Sequence, residues 1–319
     1  MLSRVVGIFA FAFWDERSRE LAAAVDHVGA KPLVWGCRGG RVVLASGCDA
    51  ARALVDGLPG ERVTLDPVGI RSVLAFGYCP PPRTVWVGLS KLGPGTMLRW
   101  RPGEAPVVEC WWTPQDPGEE GVAEPDAAGD GWFATRWTRV LGAERTSDLP
   151  LGVFLSSGLD STSVAAGLVE AGCRPLCLTV GMDADDESAG AASIAGALGL
   201  PHRTVGMRDR GLREELALTG CVYDEPQGFS ALMTQRRLSE AAHGARTVLL
   251  GGDGGDELLG GYAWNRPDEI AAMHDFARRE RLSEDAGEPA AAVMSPEADD
   301  RTRRRALGAQ ATGVFPWAW

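Results

Sequence analysis

Two glycine-rich stretches hold the residues of this chain best suited to chemistry. The first runs Leu151-Gly152-Val153-Phe154-Leu155-Ser156-Ser157-Gly158-Leu159-Asp160-Ser161. Val153 to Leu155 is a short apolar run, and small polar residues follow it, which reads as strand, tight loop, helix. Gly158 permits a positive φ, so the backbone can fold tightly at that point. Asp160 or Ser161 would cap a helix from about Thr162 to Ala171, stopped by Gly172. Such a junction aims backbone N–H groups and a helix N-terminus at one spot, which suits an anion, above all phosphate. It is not a lysine-bearing phosphate loop, since the only lysines are Lys31 and Lys91. The same residues also admit a plain strand–turn–helix junction without a ligand. A third reading is a hydrolase elbow with Ser156 as nucleophile, but Phe154 stands where that motif needs its first Gly.

The second stretch follows an apolar run, Thr247-Val248-Leu249-Leu250. It reads Gly251-Gly252-Asp253-Gly254-Gly255-Asp256-Glu257-Leu258-Leu259-Gly260-Gly261-Tyr262. Asp253, Asp256 and Glu257 crowd three carboxylates into five residues, on a backbone that looks too glycine-rich to be a mere helix start. Clustered carboxylates repel unless protons or a cation neutralise them. Mg²⁺, shared between a few carboxylates and substrate phosphates, is the natural partner. A solvated acidic turn is the plainer alternative. Glycine this dense at a strand end favours close approach of a ligand.

The elements that would position these loops alternate. A helix from Trp132 to about Thr146 precedes the first strand. Leu176 to Val180, His202 to Val205 and Thr247 to Leu250 read as strands; Glu187 to Leu198 and Ser230 to Ala242 read as helices. Strands alternating with helices predict a parallel α/β sheet. Both stretches then lie at carboxyl ends of strands, where such sheets bind ligands.

The amino-terminal part reads differently. Val5 to Trp14 is apolar and meets Asp15-Glu16. It could serve as a signal peptide cut at Ala10-Phe11-Ala12, but it is short for that role and too short to span a membrane. A strand ending in a polar turn fits better. Leu21 to Asp26, Lys31 to Trp35 and Val42 to Ala45 are expected to continue an antiparallel meander. Asp66-Pro67 opens a helix carrying Val68, Ile70, Val73, Leu74 and Phe76. A proline-set loop, Gly77 to Thr84, and a strand, Met97 to Trp100, follow. Trp86, Trp111 and Trp112 read as packing residues.

Together these stretches resemble the asparagine synthetase (glutamine-hydrolysing) family. Its PP-loop reads Ser-Gly-Gly-Leu-Asp-Ser; here Ser157 replaces one Gly in Ser156 to Ser161. Gly251 to Tyr262 resembles the family's second ATP and magnesium motif. Thr179-Val180-Gly181, Leu198-Gly199-Leu200-Pro201-His202 and Asp224-Glu225-Pro226 also match. So do Phe9 to Asp15 and Asp26 to Leu33, which resemble the later part of the glutamine-hydrolysing domain. The resemblance implies an α+β, Ntn-type glutamine-amidotransferase-like sheet domain, incomplete here, followed by an α/β PP-loop ATPase-like domain. The divisions expected are 1–112, a linker at 113–131, the ATP-binding domain at 132–262, and a diverged or truncated tail at 263–319.

The resemblance further implies ATP and Mg²⁺ as cofactors and amide formation through an acyl-adenylate. Leu155, Ser156, Ser157, Gly158, Leu159, Asp160, Ser161, Val180, Gly251, Gly252 and Asp253 would bind nucleotide. Asp160 and Asp256 would hold the metal, and Asp160, Asp256 and Glu257 would serve catalysis. The carboxylate substrate would be a small molecule or peptide, with ammonia or an amine as acceptor. Lasso-peptide cyclase and β-lactam synthetase relatives use an internal amine, and a non-catalytic truncated homologue is a further alternative. The family's catalytic N-terminal cysteine has no counterpart at Met1-Leu2-Ser3, so glutaminase activity is not expected. Its essential C-terminal lysine has none after Lys91. A homo-oligomer, or a partner chain supplying those regions, would complete the fold.

Composition agrees with this class. The 319 residues suffice for two domains, with 45% hydrophobic and 24% charged residues. A net charge of −11 speaks against nucleic acid or an anionic membrane as partner. Seven cysteines without paired spacing suggest reduced thiols and a cytoplasmic protein. Cys173 and Cys177 lack the companions of a zinc site. Arg301, Arg303, Arg304 and Arg305 read as a solvated face. The apolar strand near Val5 to Trp14 is expected to expose an unpaired edge, and the isolated chain to associate.

Overall fold

The computed structural model describes residues 2–114, 131–145, 147, 149–181, 187–207, 211–229, 231–243, 248–259 and 261. The linker expected at 113–131 and the tail from 263 therefore lie almost wholly outside the described residues. The described residues of Met1–Pro114 and Gly220–Phe229 form one compact unit; those of Gln115–Thr219 and Ser230–Gly260 form another.

In the first unit, strands β1 (Ala10–Asp15) and β2 (Glu20–Val25) form an antiparallel pair. Then come β3 (Val34–Arg38), β4 (Arg41–Ala45), helix α1 (Cys48–Asp56), helix α2 (Pro67–Phe76), β5 (Leu89–Lys91), β6 (Thr96–Trp100) and β7 (Val107–Cys110). The strands make two separate sheets, β1-β2-β6-β7 and β4-β3-β5. The single meander expected from the sequence is thus corrected: β2 pairs with β6, not β3. The reason lies at Asp26, which is fully buried where β2 ends. Its carboxylate accepts the N–H groups of Val28, Ala30 and Lys31 at 3.0–3.2 Å, tying the chain into a turn that leaves the first sheet. Ala23, Val25, Leu33, Leu92 and Leu98 form one core cluster; Val34, Cys48, Ala51, Val55 and Leu89 form a second.

Helix α2 starts as its sequence requires. Asp66 accepts the Val68 N–H at 2.9 Å, Pro67 occupies the first turn, and Gly77 ends the helix at φ +79°. The run Val5 to Trp14 contributes a shorter strand than expected. Among the described residues β1 pairs only with β2, so it is a sheet edge, and Phe13 is 61% exposed.

The second unit contains α3 (Gly131–Glu144), β8 (Leu151–Phe154), α4 (Leu159–Glu170), β9 (Leu176–Gly181), α5 (Ser188–Ala197), β10 (His202–Gly206), α6 (Leu212–Val222), α7 (Ala231–Ala242), β11 (Val248–Leu250) and α8 (Gly255–Leu259). Helix α6 ends in the segment that clusters with the first unit. Its four strands are all parallel, in the order β10-β9-β8-β11. The apolar runs read as strands have the composition of a sheet covered on both faces. Val153, Cys177 and Leu178 are fully buried, with Val164, Ala165 and Leu168 of α4 and Ala191 and Ala195 of α5 among the other buried residues.

Strand order fixes where a ligand can sit. The chain moves outward from β8 to β9 and β10, then returns to place β11 on the other side of β8. That reversal leaves a crevice between the carboxyl ends of β8 and β11. The first glycine-rich loop follows β8 and the second follows β11.

Candidate nucleotide and metal site

The loop after β8 is rich in donors. Helix α4 starts at Leu159, not near Thr162, so Asp160 and Ser161 lie in its first turn. Gly158 is the N-cap, with φ −75° and ψ 158°, and neither Asp160 nor Ser161 caps the helix. The positive φ that Gly158 permits is not used: the residue is extended. What favours glycine there is space, because a Cβ would stand 3.2 Å from Ser156 Oγ. Ser157 has no positive φ either, which explains why a serine fits where the related loops carry Gly.

Serine hydroxyls brace this loop from within. Ser161 Oγ accepts the Ser156 N–H at 3.0 Å and shares a 2.8 Å hydrogen bond with Ser156 Oγ, which also accepts the Gly158 N–H. Ser157 N–H donates to Glu187 Oε2 at 3.3 Å, a brace the sequence did not signal. Leu155 lies beneath the loop. Its side chain is 2% exposed, its N–H bonds Leu178 O, and its carbonyl accepts from Thr179 Oγ1 at 2.6 Å. It can act as a floor, with no backbone group to spare. Thr179 in turn meets His202 Nε2 at 2.9 Å. Val180, next to last in β9, packs against the Leu178, Leu238 and Ala242 cluster, as do Phe154 and Leu249. Leu159 is 83% exposed.

The loop after β11 is acidic, and it touches the first loop through glycines. A Cβ on Gly252 would lie 2.8 Å from both Asp160 Cβ and Ser161 N; one on Gly255 would lie 2.5 Å from the Asp160 carboxylate. Only residues without side chains let the loops approach this closely. Gly254 takes φ +92°, and the stretch then opens the short helix α8, with Asp256 and Glu257 in its first turn. The glycine-rich stretch is thus a helix start after all, reached through a left-handed turn. Gly251 is crowded by Asp253, whose Oδ2 lies 2.7 Å from where a Cβ would stand.

The electrostatics follow from that crowding. Burial holds the Asp256 carboxyl above the usual carboxylate range, with further repulsion from Asp160 and then Glu257. Asp253 is raised too, first by burial and then by Glu257. Its side chain reaches solvent at the rim, while its carboxyl lies folded over Gly251. The site is short of positive charge. Among the described residues no group of three His, Cys, Asp or Glu side chains could hold a metal ion unaided. A pair of carboxylates such as Asp160 and Asp256 fits Mg²⁺, which takes one or two protein carboxylates and completes its shell from phosphate and water.

Of the residues singled out from sequence, Ser156 to Ser161, Gly251 to Asp253, Asp256 and Glu257 converge at the crevice, with Leu155 as its floor and Val180 on the adjacent strand. Tyr262 and Gly260 lie outside the described residues. Sequence reasoning missed Glu187, and also Gln235 of α7, whose Nε2 lies 3.5 Å from Asp253 Oδ1.

Residues 142–313, more than half of the chain, match the family model described as asparagine synthase. The chain belongs to the asparagine synthase family. Residues 1–112 match the glutamine amidotransferase domain. The family's fold is accordingly an amidotransferase-like sheet domain followed by a PP-loop ATPase-like domain with a parallel sheet. A Mycobacterium tuberculosis protein provisionally named a glutamine-hydrolysing asparagine synthetase is 29% identical over 265 residues, 82% of this chain and 40% of that protein. Asparagine synthetase [glutamine-hydrolyzing] 1 of Bacillus subtilis is 25% identical over 268 residues, again 82% and 40%. Amidase chry2 of Gibberella zeae is 28% identical over 308 residues, 88% and 44%. The chain spans less than half the length of each of these curated relatives. No helix among the described residues is long and apolar enough to cross a membrane.

Proposed function

We propose that this chain belongs to a cytoplasmic enzyme that forms amide bonds at the expense of ATP, by adenylating a carboxylate. The reading rests above all on one observation: a donor-rich loop and an acidic loop meet at the reversal point of a parallel sheet, in an asparagine synthase family chain. The divisions 1–112, 113–131, 132–262 and 263–319 are proposed as its parts.

Backbone N–H groups of Leu159 to Ser161, in the first turn of α4, would receive the phosphates of ATP, beside the braced Ser156 to Gly158 segment. Asp160 and Asp256 would hold Mg²⁺, which supplies charge neutralisation and a template for the phosphate oxygens. Val180, Gly251 and Gly252 would line the nucleotide, and Leu155 would support it from below. Asp253 and Glu257 would keep the acidic rim charged toward the metal and the incoming amine. The reactants proposed are a small-molecule or peptide carboxylate and ammonia or an amine, giving amide, AMP and pyrophosphate. What the residues contribute is placement and fixed charge.

A hydrolase with Ser156 as nucleophile has less support. The Ser156 hydroxyl is engaged by Ser161 and Gly158, and no imidazole bonds it among the described residues. Carboxylate-dependent exchange of labelled pyrophosphate into ATP tests the proposal. Exchange that disappears in Asp256→Ala is expected. Labelling of Ser156 by a fluorophosphonate, without any exchange, would replace it with the hydrolase.

A further inference from the structure

Thr179 and His202 lie in two stretches that match the family, yet neither is among the residues assigned to nucleotide or metal. Both belong to the second unit. His202 pairs with Cys177 and Thr204 with Thr179, so the two side chains stand on one face of the sheet. Thr179 is 4% exposed, and a hydroxyl so buried needs its hydrogen bonds made. It has one proton to give. Leu155 O, at 2.6 Å, can only accept, so that proton goes there. The 2.9 Å contact with His202 Nε2 then has one sense: the ring nitrogen carries a proton and donates it to Thr179 Oγ1.

The bond to Leu155 stands where a backbone bond would otherwise form. Strands β8 and β9 pair as far as Phe154 and Leu178. The Leu155 N–H still bonds Leu178 O, and the next rung of a parallel pair would bring the Val180 N–H to Leu155 O. The ladder stops before that rung, and the Thr179 hydroxyl takes the carbonyl instead. Cys177 N–H bonds Pro201 O on the β10 side. By alternation the Val180 N–H faces the other edge of β9, toward the point where Leu155 leaves the sheet for the donor-rich loop. A backbone N–H left out of its ladder needs another acceptor.

We infer that Thr179 and His202 are positioning residues that hold this rung open. His202 Nε2–H fixes Thr179 Oγ1 on Leu155 O, and the Val180 N–H is thereby kept for an acceptor on the bound ligand. A sheet closed by one more rung would spend that donor within the protein. That the acceptor belongs to a nucleotide rests on the proposed nucleotide site; the open rung does not.

Amide exchange of the nucleotide-free full chain, read residue by residue by NMR, tests this. Thr179→Val keeps the shape of the side chain and removes the hydroxyl. The Val180 N–H should then close on Leu155 O, and its exchange should slow about tenfold even if Tm falls. A merely structural hydroxyl would give the reverse, since a destabilised sheet exchanges faster. Exchange of Val180 at the parental rate or faster in Thr179→Val would overturn the inference. His202→Leu should slow Val180 in the same direction but less, because the hydroxyl keeps its proton and loses the donor that fixes it. His202→Gln, which again carries an N–H donor, should return Val180 toward the parental rate. A parental rate in His202→Leu would overturn the role of His202. If Thr179→Val does not fold, His202→Leu decides. Magnesium–ATP binding is measured alongside and should weaken about fivefold in Thr179→Val. No binding by the parent chain, with Val180 still slowed in the variant, would remove the nucleotide reading and leave the open rung standing.

Discussion

The loops after β8 and β11 are both short, polar and glycine-rich, yet they offer opposite chemistry. The first presents N–H groups and hydroxyls at a helix N-terminus, and its polar groups are mostly satisfied within the loop. The second presents carboxylates that burial and mutual repulsion hold above their ordinary pKa. A donor loop alone would suit any anion, and an acidic loop alone would repel phosphate. Side by side they suit an anion that arrives with its own cation, which is the form of ATP in a cell. Asp160 is where the two meet, since it belongs to the donor loop and lies under Gly252 and Gly255 of the acidic one.

That contrast can be broken most sharply at Asp160. Asp160→Ala should weaken magnesium–ATP binding by about 100-fold, the upper end of what loss of a metal-site partner costs. In the absence of magnesium the same change should help nucleotide binding, because only a repulsive charge is lost. Calorimetry with and without the metal separates the two effects.

The next largest effect is steric. Gly252→Ala places a methyl group against Asp160 and the Ser161 backbone, and overpacking of this kind costs about 1–3 kcal/mol. Nucleotide affinity should fall about tenfold as the loops separate. Gly196→Ala, in α5 with nothing near its Cβ position, should instead raise stability by about 0.5–1 kcal/mol. Thermal melts of the two variants should therefore move in opposite directions.

Ser161→Ala removes the brace on the Ser156 N–H without touching a charge. A loss of about 1 kcal/mol in nucleotide binding is expected, with little dependence on magnesium. A strong magnesium dependence in this variant would mean that the donor loop also ligates the metal.

The smallest effect concerns proton linkage at Asp253. Its folded-state pKa lies above the ordinary 3.8, so the native state binds this proton more tightly than the unfolded chain does. The carboxyl therefore destabilises the fold once pH has risen through the raised value, and has no effect below 3.8. Asp253→Asn should raise Tm at pH 7, and the gain should vanish as pH approaches that lower limit. A gain that persists in acid would show that Asp253 acts through packing and not through charge.

Much of the second unit was legible from the chain itself. Apolar runs gave β8 and β9 to within two residues, because strands with buried centres leave no polar alternation to misread, and β10, whose residues are half-buried or exposed, was read from its place in the strand–helix alternation. The acidic and donor loops stood out because their residue types are uncommon at strand ends. Legibility failed where tertiary contacts decide. The pairing of β2 with β6 depends on the buried turn at Asp26, and no local pattern announces it. Gly158 could have served a left-handed turn, whereas a neighbouring hydroxyl is what limits its side chain. Helix α6 carries Glu214, Glu215 and Leu216, a helical composition passed over beside stronger signals. Glu225 matched a motif, but its partners lie in the other half of the sequence.

Nucleotide binding at this site requires the two loops to act together on one ligand. Titration of the full chain with a non-hydrolysable ATP analogue, at fixed nucleotide and increasing magnesium, measures this directly. Binding that requires magnesium in the parent chain, and loses that requirement in Asp160→Ala and Asp256→Ala, is the predicted result. Magnesium-independent binding that both variants retain in full would contradict it.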